Sequence, residues 1–290
     1  MGRLAHNLHR APPRPLDAGT RRRWAPVSEA LYIIAKAPRA GLAKTRLGRA
    51  IGDEAAVVLY KAFLRDLAAR FAEAPFECGW YVTPPDAWDD ISPLVDWGGR
   101  EAKVLLQAEG DLGEHQRELF RGAAARGEEK VVLIASDSPQ LGVGVVERAF
   151  RELDRHDLVF GATYDGGYYL IGMRGFRDVF RGVPMSVGTE MEGVVAAAEL
   201  AGLSVGRVET TFDVDEAEDL QHLRRLAEHR TDLAATRVAL EALGLLQETE
   251  GHATVEPTGF GPVLAGPGDG STVRGRAAEP ARQPRGGGSG

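Results

Sequence analysis

Val131, Val132, Leu133 and Ile134 are four consecutive apolar residues inside the run 130–135. A strand with one wet face alternates apolar and polar side chains. A strand without alternation has to be covered on both faces. Such a strand belongs in the middle of a sheet that carries helices on each side, so this stretch already points to α/β layering. The segment 30–35 reads as a second buried strand. The helix expected over 53–74 carries Val57, Tyr60, Leu64, Leu67 and Phe71 at three- and four-residue spacing. Further strands are expected at 78–82, 103–107, 157–161 and 167–172, with an outer strand at 204–208. Helices are expected at 112–126, 144–154, 189–201 and 215–229, and the segment 231–246 closes the domain. Strands that alternate with helices imply a mostly parallel sheet.

Composition narrows the function. A chain of 290 residues suits one large domain or two small ones, and 43% apolar residues suffice for a core. The net charge of -7 argues against general nucleic-acid binding. The single cysteine, Cys78, excludes an internal disulfide and a cysteine-based zinc site. A lone cysteine fits a reducing, cytoplasmic setting. No apolar run approaches the ~20 residues of a membrane span. Residues 1–26 read as a disordered basic arm, 27–248 as the folded domain, and 249–290 as a disordered tail rich in Gly, Pro and Arg.

Four segments carry candidate chemistry. The first is Lys36-Ala37-Pro38-Arg39-Ala40-Gly41-Leu42-Ala43-Lys44-Thr45-Arg46-Leu47, a basic loop between a strand and a helix. Such loops hold phosphates, with Lys36, Lys44 and Arg46 as cations and Gly41 allowing close backbone approach. Two of the five lysines lie here, which favours phosphate binding over an ordinary solvated loop. The loop lacks the glycine before lysine of a Walker A motif, and it is no dinucleotide fingerprint. The second is Asp137, directly after the buried strand, where open α/β sheets bind ligands. The third is Asp213-Val214-Asp215, whose two carboxylates share a direction if the piece is extended. Oxygen ligands from Asp137, Asp213 and Asp215 suit Mg²⁺ or Mn²⁺. Helix capping is an equal alternative for Asp213 and Asp215. The fourth is Tyr164-Asp165-Gly166-Gly167-Tyr168, an open turn that presents Asp165 beside aromatic faces, or else a plain β-turn. Asp111 and Glu114 have capping-box spacing. The histidines define neither a catalytic triad nor a metal-ligand spacing.

These motifs, together with 107–114 and Asp137-Ser138-Pro139-Gln140-Leu141, resemble the DUF2064 family, also called radical-SAM/selenodomain-associated transferase 1, across roughly 31–220. The resemblance implies a three-layer αβα fold of the GT-A type, that of nucleotide-diphospho-sugar transferases, with a mostly parallel central sheet. It also implies a nucleotide substrate and a divalent metal. By that likeness Lys36, Gly41, Lys44, Thr45 and Arg46 hold phosphates, and Asp137 is catalytic and the main metal ligand with Asp213 or Asp215. Asp165 is likewise catalytic, and Asp111, Gly166, Gly167, Tyr168 and Thr189 bind the sugar or acceptor. The chain departs from the family at His115, where members often carry Arg. It departs again at 185–189, where a Trp is common. The implied activity is metal-dependent glycosyl transfer from a nucleotide-diphosphate sugar to a small-molecule acceptor. The alternatives are a guanylyl- or cytidylyl-type nucleotidyltransferase acting on a phosphorylated or acidic acceptor, and a degenerate sugar-nucleotide-binding protein.

Overall fold

Seven strands form one sheet in the computed structural model, which describes residues 29–99, 102–107, 109–185 and 188–246. The expected arm and tail lie outside the described residues. The strands are β1 (Glu29–Lys36), β2 (Glu77–Thr83), β3 (Lys103–Leu106), β4 (Lys130–Ala135), β5 (Leu158–Thr163), β6 (Tyr168–Arg174) and β7 (Val205–Thr211). Their order is β3-β2-β1-β4-β6-β5-β7. All pairings are parallel except those of β6, which runs antiparallel to β4 and β5. The reversal has a local cause. Only Tyr164 to Gly167 separate β5 from β6. A parallel crossover needs roughly a dozen residues or more, so so short a link closes a hairpin.

The helices are α1 (Thr45–Ile51), α2 (Asp53–Phe71), α3 (Ala87–Ile91), α4 (Leu112–Arg126), α5 (Val143–Glu152), α6 (Glu190–Leu200), α7 (Asp219–His229) and α8 (Ala234–Ala242). They make two outer layers, as the unbroken apolar run requires. Val132 and Ile134 of β4 pack with Leu31 and Ile33 against α2, α5, α7 and α8. Val131 and Leu133 face the other way, with Tyr32 and Ile171, against α4 and α6. Each such side chain removed from water contributes about 1.5–3 kcal/mol before chain entropy is counted. The sheet therefore forms the αβα sandwich that the sequence implied.

Three details differ from the sequence reading. Helix α1 was expected as loop; it is short and interrupted by Gly48, so no periodicity marks it. Helix α3 was likewise unanticipated. Helix α7 begins at Asp219 rather than 215, because the Asp219 carboxylate accepts hydrogen bonds from the backbone N–H groups of Asp215 (2.9 Å) and Glu216 (2.7 Å) and holds 215–218 outside the helix.

Candidate active site

The carboxyl ends of the parallel strands open onto a cleft of about 770 Å³. Across the sheet its wall is supplied by Gln107 after β3, Thr83 of β2, Lys36 of β1, Asp137 after β4, Tyr168 of β6, Thr163 and Asp165 at the end of β5, and Asp213 and Asp215 after β7. Residues 170 positions apart meet here because every parallel strand delivers its following loop to the same edge.

Lys44 is the centre of the site. Its ammonium forms an ion pair with Asp137 Oδ1 (2.6 Å) and donates to Asp215 Oδ1 (2.8 Å) and to the Val214 carbonyl (2.8 Å). The Lys44 side chain is 2% exposed, whereas those of Asp137 and Asp215 are each 37% exposed on the cleft side. A main-chain bond from Val214 N–H to the Asp137 carbonyl (3.0 Å) ties the same two loops. Burial alone would lower the lysine's pKa. Asp137 and Asp215 outweigh it and hold the group above its ordinary value. Burial raises Asp215 in turn, and Lys44 more than reverses that, leaving this carboxyl below its usual range. Among the described residues Asp213 has no ion pair of this kind. Burial, Asp215 and Asp165 together push it up to about 7. Three carboxyl groups thus crowd around one buried ammonium at this edge of the cleft.

Behind Asp137 the wall is held by a buried phenol. Tyr60 Oη accepts from the Lys36 backbone N–H (3.0 Å) and shares a hydrogen bond with Ser136 Oγ (2.9 Å). Burial and the neighbouring Asp137 raise its pKa to about 12, so it stays protonated. Lys36 and Arg46 line the cleft, and neither side chain has a hydrogen bond or ion pair among the described residues. They, rather than Lys44, are the cations available to a ligand in this conformation. The expected phosphate ligand Lys44 is held by Asp137, Asp215 and the Val214 carbonyl in this ligand-free structure.

On the β5–β6 side, Asp165 Oδ1 accepts from Thr163 Oγ1 (2.5 Å) and the Gly167 N–H (3.2 Å), leaving Oδ2 for the cleft. Gly166 has φ 93°, and a Cβ there would sit 2.2 Å from the Gly188 carbonyl oxygen. The turn therefore packs backbone to backbone on the loop before α6, and only glycine fits. Tyr168 Oη donates to Gln116 Oε1 (2.8 Å). Gln116 of α4 is 2% exposed, lines the cleft, and has no other side-chain bond among the described residues.

Several expected residues stand elsewhere. Asp111 caps α4: its carboxylate accepts from the Glu114 N–H (2.9 Å) in a reciprocal capping box, so it is committed to the helix and does not line the cleft. Gly41, Thr45, Gly166 and Thr189 also lie off the cleft wall. Gly41 (φ 71°) turns the loop, Thr45 opens α1, and Thr189 precedes α6. Neither Asp213 nor Asp215 caps a helix, since Glu218 holds that position on α7. Asp137, Asp213 and Asp215 all face the cleft, but among the described residues no three His, Cys, Asp or Glu side chains stand as a ready metal-ligand group. Their hard oxygen donors fit a divalent cation, provided that substrate oxygens complete its shell. Missed from the sequence were Tyr60, Gln116 and Glu190, all on helices. Glu190 accepts from the Gly188 N–H (3.1 Å). Apolar spacing marked Tyr60 only as core, and no local signal marked the other two.

A family model described as an uncharacterised protein conserved in bacteria, DUF2064, matches residues 67–187. The structure is similar to that of a candidate nucleotide-diphospho-sugar transferase from Desulfovibrio desulfuricans G20. That similarity has a TM-score of 0.67 and 30% identity, over 75% of this chain and 96% of that one. It is more distantly similar to a cytidylyltransferase from Leptospira borgpetersenii (TM-score 0.47, 13% identity, 78% of this chain and 100% of that one). A nucleotidyl transferase from Methanothermobacter stands at a similar distance (TM-score 0.46, 15% identity, 68% and 96%). No curated protein matches the chain.

Proposed function

We propose that this chain, which belongs to the DUF2064 family, is a metal-assisted glycosyltransferase that takes a nucleoside-diphosphate sugar as donor and a small molecule as acceptor. The observation that carries this reading is the division of one cleft by charge. Lys36 and Arg46 offer unpartnered cations beside β1, and Asp165 and Asp213 offer carboxylates towards β5 and β7. Diphosphate oxygens suit the first half. A neutral polyhydroxyl group suits the second, where a carboxylate accepts from hydroxyls and the Gln116 amide donates to them.

Lys36 and Arg46 hold the diphosphate and favour the charge that grows on it as the bond to the sugar breaks. Magnesium or manganese on oxygens of Asp137, Asp213 and Asp215 supplies further neutralisation of the leaving diphosphate when bound. Asp165 Oδ2 takes the proton of the attacking hydroxyl. The acceptor oxygen gains the bond to the anomeric carbon, and the electron pair of the old bond leaves with the diphosphate. Gln116 and Tyr168 fix the sugar or acceptor against the end of β6.

The two free cations also suit a triphosphate, which keeps nucleotidyl transfer as the second reading. The acidic half of the cleft disfavours the phosphorylated or acidic acceptor which that reaction needs. A product assay with Mg²⁺ across nucleoside triphosphates and nucleotide sugars tests the choice. Nucleoside diphosphate released from one nucleotide sugar, and lost in Asp137→Ala, is expected. Pyrophosphate released from one triphosphate would replace this reading with the second.

A further inference from the structure

We propose that Lys44 is an exchangeable internal cation: its ammonium holds Asp137 and Asp215 in the ligand-free protein and is displaced from them when a divalent cation binds. This rests on reading the cleft as a metal-and-nucleotide site. The Lys44 ammonium is held by two hydrogen bonds and an ion pair, supplied by the ends of two strands that are distant in sequence. The backbone at Lys44 is unusual as well. Lys44 has φ 54° and ψ 40°, and it is the sole non-glycine residue with positive φ among those described. That conformation is disfavoured for a side chain of this kind, and the surrounding contacts over-determine it.

The two carboxylates are consequently spaced for an ammonium. They do not form a metal-ligand group, with Asp213 or any other acidic or histidine side chain described. A divalent ion takes its first ligands from the same oxygens at about 2.0–2.6 Å. It cannot do so beside a sequestered positive charge without strong repulsion, because little water screens the pair. One cation therefore replaces the other. Lys44 lines the cleft, so its released ammonium has the cleft to move into, where a nucleotide's phosphates are the natural acceptor. Metal and phosphate binding then reinforce each other through a single side chain.

Lys44→Met keeps the apolar stem and removes the charge. Its melting temperature in EDTA and its affinity for Mn²⁺ alone, measured by calorimetry, decide the matter without any turnover. The expected result is a lower melting temperature than wild type in EDTA, and Mn²⁺ binding roughly tenfold or more tighter than wild type once the competing charge is gone. Lys44→Arg retains the charge and is expected to bind Mn²⁺ as weakly as wild type. Mn²⁺ binding by Lys44→Met that is equal to wild type, weaker or absent overturns the proposal, as does equal tightening in Lys44→Arg. If Lys44→Met does not fold without metal, Lys44→Gln gives the same comparison. Nucleotide affinity of the wild-type protein in EDTA tests the proposed function separately.

Discussion

Replacing Asp213 by Asn should stabilise the metal-free protein, although the side chain faces the candidate site. Its carboxyl is raised from 3.8 to about 7 by burial and by Asp215 and Asp165. Below the unfolded value the group is protonated in both states and costs nothing. As pH rises, the unfolded chain releases this proton first and the folded chain holds it until about 7. Stability is therefore lost across that interval, and the full penalty stands above it. A shift of about 3 units corresponds to ~4 kcal/mol at 1.36 kcal/mol per unit. Asp213 is partly exposed, and solvent screening reduces the expected gain in Asp213→Asn to about 1–2 kcal/mol. For a domain of this size, that is a rise of roughly 2–8 °C in melting temperature. The assay is thermal or urea unfolding of both proteins in EDTA from pH 4 to pH 8.5. The difference should be small at the acid end, grow towards pH 7 and level off above it. A variant less stable than wild type at pH 8, or one with the same advantage at every pH, would refute the argument that like charge crowds this position.

Three further outcomes follow from named contacts. Lys36→Ala combined with Arg46→Ala should weaken binding of nucleoside diphosphates by roughly tenfold or more, with the melting temperature little changed because neither side chain has a hydrogen bond or ion pair to lose among the described residues; unchanged affinity by calorimetry would remove them from the phosphate site. Gly166→Ala should destabilise by about 1–3 kcal/mol and depress turnover, since its Cβ meets the Gly188 carbonyl at 2.2 Å, and a wild-type melting curve would show that the two loops separate freely. Glu128, 4% exposed, accepts from Lys103 (2.5 Å), Arg126 (2.9 Å) and Tyr32 (2.9 Å); burial raises its pKa, but Arg126 and Lys103 outweigh that and hold it low. Its contribution is present at neutral pH and lost as pH falls through the carboxylate range, so Glu128→Ala should cost about 3–5 kcal/mol at pH 7 and less in acid, as urea unfolding at the two pH values would reveal.

The layered architecture was legible because it depends on local pattern. Val131 to Ile134 are apolar without alternation, so both faces need cover, and the structure sends alternate residues to two separate cores. The capping box of Asp111 and Glu114 was legible for the same reason, since both ends of the interaction lie within one helical turn. Family likeness implies a ligand-binding role for Asp111, and in the structure its carboxylate caps α4. The Gly166 requirement appeared in the sequence only as a turn. Its cause is the carbonyl of Gly188, 22 positions on.

What the sequence alone determined is therefore the strands and the longer helices, and the edge of the sheet where polar loops collect. The tertiary structure decided what the charged side chains do there. Lys44 and Arg46 sit two positions apart in one basic stretch, and nothing in the sequence distinguishes them. Folding buries one between Asp137 and Asp215 and leaves the other free in the cleft. Likewise Gln116 and Tyr168 acquire a meeting point only when α4 packs over the reversed strand β6. Hydrophobic periodicity is a short-range code written in neighbouring residues, whereas the partner of a charge is fixed by which strand ends the sheet brings together.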